Sequence, residues 1–299
     1  MQAAALTAAN QAVPAPEDRR WARLEIGHGL ANTDEDIARN ITAALGRNLP
    51  RITTLVGKEK GAVSIVGSGP SLKRNWKRIP RLGGDIIACN AAFQFLLAKG
   101  IVPKYMMCFD ADPLMLEFMT PHPKTVFLLA SRCPPKAFEL LWDSKIVCWH
   151  AAGDKNIEEL LQKAGRFDDP MVIGGTSATT RAMVLAQALG YTDVHLWGSD
   201  GSFENGETHI RKSTTVEKRM YVNMAGRVFE TAPWMTQQVR DLEALAPLLR
   251  SLGIKLTVHG DGLFPQAAAS MGFNVDWPLA IRQFLRRWKW NAMYLWKTI

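Results

Sequence analysis

The chain has 299 residues, 47% of them apolar, which suits one large domain with appendages and a sizeable buried core. No apolar run approaches the roughly 18 residues of a membrane span, so the sequence offers no membrane-crossing helix. The net charge is +8, and five of those charges gather beyond Asp276, where Arg282, Arg286, Arg287, Lys289 and Lys297 face no acid. So local a basic surface points to docking and argues against nucleic acid as the main partner.

In chain order, the first twenty residues, MQAAALTAANQAVPAPEDRR, lack the basic start and apolar core of a secretory leader. They read as a loose lead-in, and the chain as cytoplasmic. A helix is expected in TDEDIARNITAAL, with Thr33 as its cap, acids in the first turn, and Ile37, Ile41 and Leu45 on one face. From about residue 61, strand-length apolar runs recur at 62–66, 85–89, 105–109, 125–130, 145–149, 194–197 and 255–258. Helical patterns lie between most of them, at 91–99, 157–164, 177–189 and 236–252. Near-continuous apolar strands alternating with amphipathic helices indicate an α/β, Rossmann-like fold, a mostly parallel sheet with helices on both faces. The division is a helical N-terminal extension (1–60), a nucleotide-binding domain (61–265) and a C-terminal part (266–299) ending in a basic amphipathic helix. Cys89, Cys108, Cys133 and Cys148 form no CxxC pair and read as buried reduced thiols.

Ligands of such folds sit at the carboxyl ends of the strands, so chemistry is expected in the loops there. The first is Gly67-Ser68-Gly69-Pro70-Ser71. Its glycines permit a tight turn and close approach, Pro70 suits a first helical position, and Ser71 offers a hydroxyl beside a helix start that attracts anions. Leu72 stands where a third glycine would complete a dinucleotide fingerprint. The turn therefore reads as one half of a split phosphate site, with Gly174-Gly175-Thr176-Ser177 as the other half. Asn90 suits either a base or ribose contact or a helix N-cap. Asp110 and Asp112, two apart at a strand end, suit Mg²⁺ or ribose hydroxyls, while Asp112 also suits a cap before Pro113. The fifth loop offers Gly198 for close approach, Asp200 at a strand end, and His209 as a general base near neutral pH.

Taken in order, GSGPSL, IIACNAAFQFLLAKGIVPKYMMCFDADP, GGTSATTRAMVLAQALGYTDVHLWGSDGSF and GETHIRKS resemble the motility-accessory-factor type of glycosyltransferase domain. That domain shares a superfamily pattern with the archaeal-type, MptE-like 6-hydroxymethylpterin diphosphokinase and is similar to bacterial CMP-sialic-acid sialyltransferases. The resemblance spans about residues 61–265 and implies a transferase with a nucleotide-sugar donor, a CMP-linked one of nonulosonic-acid type being one candidate, and no tightly bound cofactor. Gly67, Ser68, Gly69, Pro70, Ser71, Asn90, Thr176, Ser177 and Gly198 would hold the donor. His209 would be the base, and Asp110 and Asp200 would orient hydroxyls. Two departures stand out. Gly175 replaces a residue that is often basic in sialyltransferases, and Phe203 stands where a tyrosine assists the leaving phosphate. The diphosphokinase resemblance instead implies Mg²⁺ held by Asp110 and Asp112, although Asn90-Ala91-Ala92 departs from that family's acidic start. A non-catalytic nucleotide-binding module is the third reading. The acceptor is left open. The helix from Ile281 to Ile299, with Trp288 and Trp296 on its apolar stripe, suits docking on a membrane surface, on a protein or on the chain's own core.

Overall fold

The computed structural model describes residues 32–211 and 218–278. The lead-in and the helix expected from Ile281 to Ile299 lie outside the described residues. Nine strands form one parallel sheet: β1 Ala62–Val66, β2 Asp85–Cys89, β3 Tyr105–Cys108, β4 Val126–Ala130, β5 Lys145–Ala151, β6 Met171–Val172, β7 Asp193–Trp197, β10 Lys255–His259 and β11 Asn274–Asp276. Their spatial order is β11-β10-β7-β1-β2-β3-β4-β5-β6. Strands β8 Met220–Met224 and β9 Arg227–Thr231 pair separately as an antiparallel hairpin.

Adjacent strand residues point to opposite faces, so uninterrupted burial means that both faces are covered. This is the state of β3, buried at all four positions, and of β1, buried from Val63 to Val66. Trp149, Trp197, Tyr105, Tyr191, Phe93 and Phe127 are the bulkiest parts of this core. The helices are α1 Asp34–Leu45, α2 Leu72–Asn75, α3 Ala92–Leu97, α4 Pro135–Leu140, α5 Ile157–Lys163, α6 Ala178–Leu189, α7 Pro233–Ser251 and α8 Leu263–Ser270. The structure thus has the α/β, Rossmann-like architecture expected from the sequence. Among the described residues no helix is long and apolar enough to cross a membrane. All four cysteines are buried and unbridged.

Helix α1 begins as its sequence indicates. Thr33 Oγ1 accepts from Asp36 N–H at 3.1 Å, and Thr33 N–H donates to Asp36 at 3.0 Å, a reciprocal capping box. Its apolar face does not stand apart from the domain that follows. Ile37 and Ile41 pack with Ala111, Ile157 and Leu161. Cys148 N–H in β5 donates to Pro50 O at 2.8 Å. At the other end the sheet continues beyond residue 265, because β11 pairs with β10 through Asp276.

Candidate functional site

The topology fixes where the loops meet. From β1 the chain builds outward through β6, then crosses back so that β7 lies on the other flank of β1. The loops after β1 and β7 therefore face each other at the switch point, where open α/β sheets bind ligands. They are in contact. Gly67 N–H donates to Trp197 O and Gly69 N–H to Gly198 O, both at 2.8 Å. A Cβ on Gly67 would lie 2.6 Å from Gly198 O, and one on Gly69 would lie 2.4 Å from Asp200 Oδ2. Gly198 itself has φ +60. These glycines are required by the fit of two backbones.

A cavity of about 340 Å³ opens at this seam. Its wall includes Gly67, Ser68, Gly69, Asn90, Asp110, Ser177, Gly198, Asp200 and His209 from among the residues singled out in the sequence. Pro70, Ser71, Asp112 and Phe203 are not on that wall, whereas Thr176 is. Phe203 borders a neighbouring cavity of about 240 Å³ together with Arg74, Arg227 and Asp261, and Asp200 borders both spaces.

The first turn differs from its expected form. Pro70 does not occupy the first helical position, because α2 starts at Leu72 and lasts four residues before tightening into 3-10 turns. One helical turn builds little of a macrodipole. The N–H of Ser71 is taken by Asp200 Oδ2 at 2.9 Å. The Ser71 hydroxyl and Asp200 Oδ1 are buried without partners. Burial pushes the Asp200 carboxyl up to about 6 against the lowering effect of the Ser71 backbone N–H.

The fourth loop feeds a full helix. Ser177 Oγ accepts from Thr180 N–H at 3.1 Å and caps the twelve-residue α6. The N–H groups of Ala178 and Thr179 lie in the first turn, where no intrahelical acceptor exists, and both residues line the cavity. Thr176 is turned aside: its N–H and its hydroxyl both donate to Asp241 Oδ2 at 2.7 Å. Gly175 has φ +77, and a Cβ there would lie 2.1 Å from Asp241 Cγ. No side chain, basic or otherwise, fits at that position. Arg181 pins the loop through Gly175 O and Ala152 O, at 2.8 and 3.1 Å, and through Val172 O; burial lowers its pKa to about 10.

Asn90 adopts φ +50, which Asn tolerates better than most residues. It does not cap α3, whose cap is Ala91 without a side-chain bond. Its Oδ1 is buried and unpartnered in a residue on the cavity wall. Asp110 keeps an exposed edge in the cavity, yet the protein around it raises its carboxyl above the ordinary range. Asp112 is a cap, accepting from Leu114 N–H at 2.9 Å, and its own N–H donates to Asp110 Oδ1 at 3.1 Å. One oxygen of each carboxylate therefore already accepts from a backbone N–H. Among the described residues no group of three or more His, Cys, Asp or Glu is placed to hold a metal.

His209 reaches the same space because the fifth loop is tied to the first. Ile210 N–H donates to Ser68 O at 2.8 Å, Lys73 pairs with Glu207, and Arg74 pairs with Glu204 at 2.9 Å. Thr208 Oγ1 lies 2.9 Å from His209 Nδ1, and the ring stacks on Trp234 with centroids 5.5 Å apart. Trp234, Met235 and Gln238, from the start of α7, complete this wall.

Sequence reading passed over Arg132, Trp234 and Gln238. Only Arg132 carried a signal, since it follows a strand end. Ser131, His150 and Asp169 form a further hydrogen-bonded chain, with links of 2.9 and 3.0 Å. It has the order of a nucleophilic triad, but all three residues are buried and none lines the cavity, so it serves packing.

Residues 36–206 match the family described as 6-hydroxymethylpterin diphosphokinase MptE-like, over more than half of the chain. The chain belongs to this family. Among solved structures, it is similar to the Maf glycosyltransferase from Magnetospirillum magneticum AMB-1, with a TM-score of 0.57 and 18% identity, covering 84% of this chain and 39% of that one. The chain thus spans about two fifths of that protein's length, and at this identity the likeness is one of fold. A mammalian sialyltransferase aligns over 75% of this chain and 79% of its own with 12% identity and a TM-score of 0.38, too distant to bear on the site. No curated protein matches the chain in sequence. The MptE-like family and the Maf neighbour agree with the resemblance carried by GSGPSL, the FDADP segment and LWGSDGSF.

Proposed function

We propose that this MptE-like chain is a glycosyltransferase whose donor is a nucleotide-activated sugar, of the CMP-linked, nonulosonic-acid type. The observation that carries the proposal is the meeting of an open helix start, an unpartnered Asn90 oxygen and His209 around one cavity at the switch point. The leaving phosphate lies on the first-turn N–H groups of α6, which stabilise the charge it gains as the glycosidic bond breaks. Asn90 Oδ1 accepts from the nucleotide. His209, on the cavity wall with Thr208 Oγ1 beside its Nδ1, takes the proton of the acceptor hydroxyl. That oxygen bonds to the anomeric carbon, and the nucleotide departs with the electron pair. Asp110 and Asp200 orient hydroxyls from opposite sides of the cavity.

The alternative is phosphoryl chemistry of the diphosphokinase type, favoured by the family's own description. Against it stands the commitment of Asp112 to its cap and of Asp110 Oδ1 to the Asp112 N–H. A thermal-shift screen with CMP-sugars, UDP-sugars, free nucleotides and ATP with Mg²⁺ separates the two, since a ligand of the native state raises its melting temperature. Stabilisation by CMP or a nucleotide-sugar is expected. A response confined to ATP with Mg²⁺ supports the second reading, and no response removes both. With the donor in hand, His209→Ala is expected to lower turnover by about a thousandfold while leaving the melting temperature within a few degrees. Unchanged turnover would remove His209 as the base.

A further inference from the structure

We infer that Arg132 is a second oxyanion-binding group of the cavity, so that the ligand carries two anionic centres: one at the start of α6 and one against this guanidinium. The inference rests on the reading of the cavity as a donor site.

Arg132 lies in the loop after β4 and is held from several sides. Its carbonyl accepts from Asn40 Nδ2 of α1 at 3.0 Å, and its neighbour Ser131 donates its N–H to Trp149 O at 2.8 Å. Its guanidinium sits 4.7 Å from the Phe109 ring centroid, and one terminal nitrogen donates to Asp154 Oδ1 at 2.6 Å. An aromatic face and a carboxylate thus fix the plane of the guanidinium before any ligand arrives. Arginine has five N–H donors in a fork. Here one hydrogen bond forms, Nε is buried without a partner, and the residue is part of the cavity wall. A cation so placed, largely buried and with donors unspent, suits an acceptor with more than one oxygen.

Arg181 lies on the same ring, 4.4 Å from the centroid, but spends its donors on backbone carbonyls and adds charge without reaching the ligand. Asp154 faces both guanidiniums, Asp110 on the cavity wall also acts on Arg132, and Asp241 acts on Arg181. Arg132 is the one lysine or arginine on the cavity wall among the described residues. Gly175, next to the α6 start, has no room for a cationic side chain beside Asp241. The first anion is served by N–H groups across the cavity, so Arg132 is available to another group, a carboxylate or a second phosphate. Both match the guanidinium fork.

Calorimetric titration of the full chain with CMP, CDP and CMP-N-acetylneuraminate tests this, because the second and third probes add a phosphate or a carboxylate to the first. Wild type is expected to bind one of them about tenfold or more tighter than CMP, and the preferred one names the source of the second anion. Arg132→Gln combined with Asp154→Asn replaces an ion pair by a neutral pair and leaves no buried charge alone. In that variant the preference should shrink to less than about threefold while CMP binds as before. Arg132→Lys, which keeps the charge and loses the fork, gives the same reading with an intermediate loss should the double variant not fold. A preference that survives these changes overturns the inference, as does an equal loss of CMP. If wild type binds no nucleotide, the donor-site reading fails, and inorganic pyrophosphate decides for Arg132 alone: weaker binding by the variant upholds it, and unchanged binding removes it.

Discussion

Residues 67–71 and 174–177 offer the same ingredients: two glycines, then hydroxyls, then a helix on the carboxyl side of a strand. The structure uses them differently. In the first turn the glycines are filled by neighbouring backbone, the Ser71 N–H is taken by Asp200, and the helix lasts a single turn. An ionised carboxylate seated on that N–H also repels an incoming anion. In the second, the cap is supplied from within by Ser177, the glycines are pinned by Arg181 and Asp241, and a twelve-residue helix opens onto the cavity. The first turn is thus a seam that gathers the loops after β1 and β7 and brings His209 along, and the second is the anion seat of the proposed function. A glycine-and-serine signature gains its meaning from what occupies its N–H groups.

The sharpest way to break the comparison is to fill the seam. Gly69→Ala places a methyl 2.4 Å from Asp200 Oδ2 and 2.6 Å from Gly198 O, neither at the end of a long flexible side chain. Denaturant unfolding should show a loss of about 3 kcal/mol, the upper range for overpacking. A loss below about 1 kcal/mol would mean that the seam is slack.

Asp200→Asn comes next, with the opposite sign. A carboxyl raised from 3.8 to about 6 by burial binds its proton more tightly in the native state than in the unfolded chain. Stability therefore falls as pH rises from about 4 through about 6, and the cost is present in full above that. It amounts to at most about 3 kcal/mol. Asparagine can still accept from Ser71 N–H while carrying no charge. The variant should melt higher than wild type at pH 7.5, and the gap should close by about pH 4. A gap that does not change with pH would assign the effect to packing.

The smaller effects set the two serines against each other. Ser177→Ala removes the cap of α6 and should cost about 1 kcal/mol in chemical denaturation. Ser71→Ala deletes a buried hydroxyl without a partner and should change stability by less than about 0.5 kcal/mol or raise it slightly. Equal costs at the two positions would erase the distinction.

Much of the fold is written in local pattern. The central strands β1 to β5 are continuous apolar runs of a length that leaves little choice, and Thr33 with Asp36 announces α1. The elements that the pattern does not reveal are short or half exposed. β6 has two residues, and the β8 side chains alternate between half-buried and exposed with no apolar face strong enough to distinguish them from a loop. β11 is visible only through its pairing with β10. At the site, each loop that ends a strand could be found by position, which brings Gly67, Asn90, Asp110, Ser177 and His209 to one cavity. What each residue does there depends on partners far along the chain. Ser71 meets Asp200 across 129 positions, and Thr176 meets Asp241 across 65. Trp234 and Gln238 come from a helix start whose spacing reads as ordinary packing. Arg132 follows a strand and was legible by the same rule as the others, but a lone arginine before Cys-Pro-Pro carries no motif.

The division of labour between the two turns meets its most direct test in a crystal structure of the chain with a nucleoside diphosphate bound. The phosphate is expected within hydrogen-bonding reach of the Ala178 and Thr179 N–H groups, with Asp200 still on the Ser71 N–H. A phosphate seated instead on the N–H groups of Ser71 and Leu72, or in the neighbouring cavity beside Arg74 and Arg227, would contradict it.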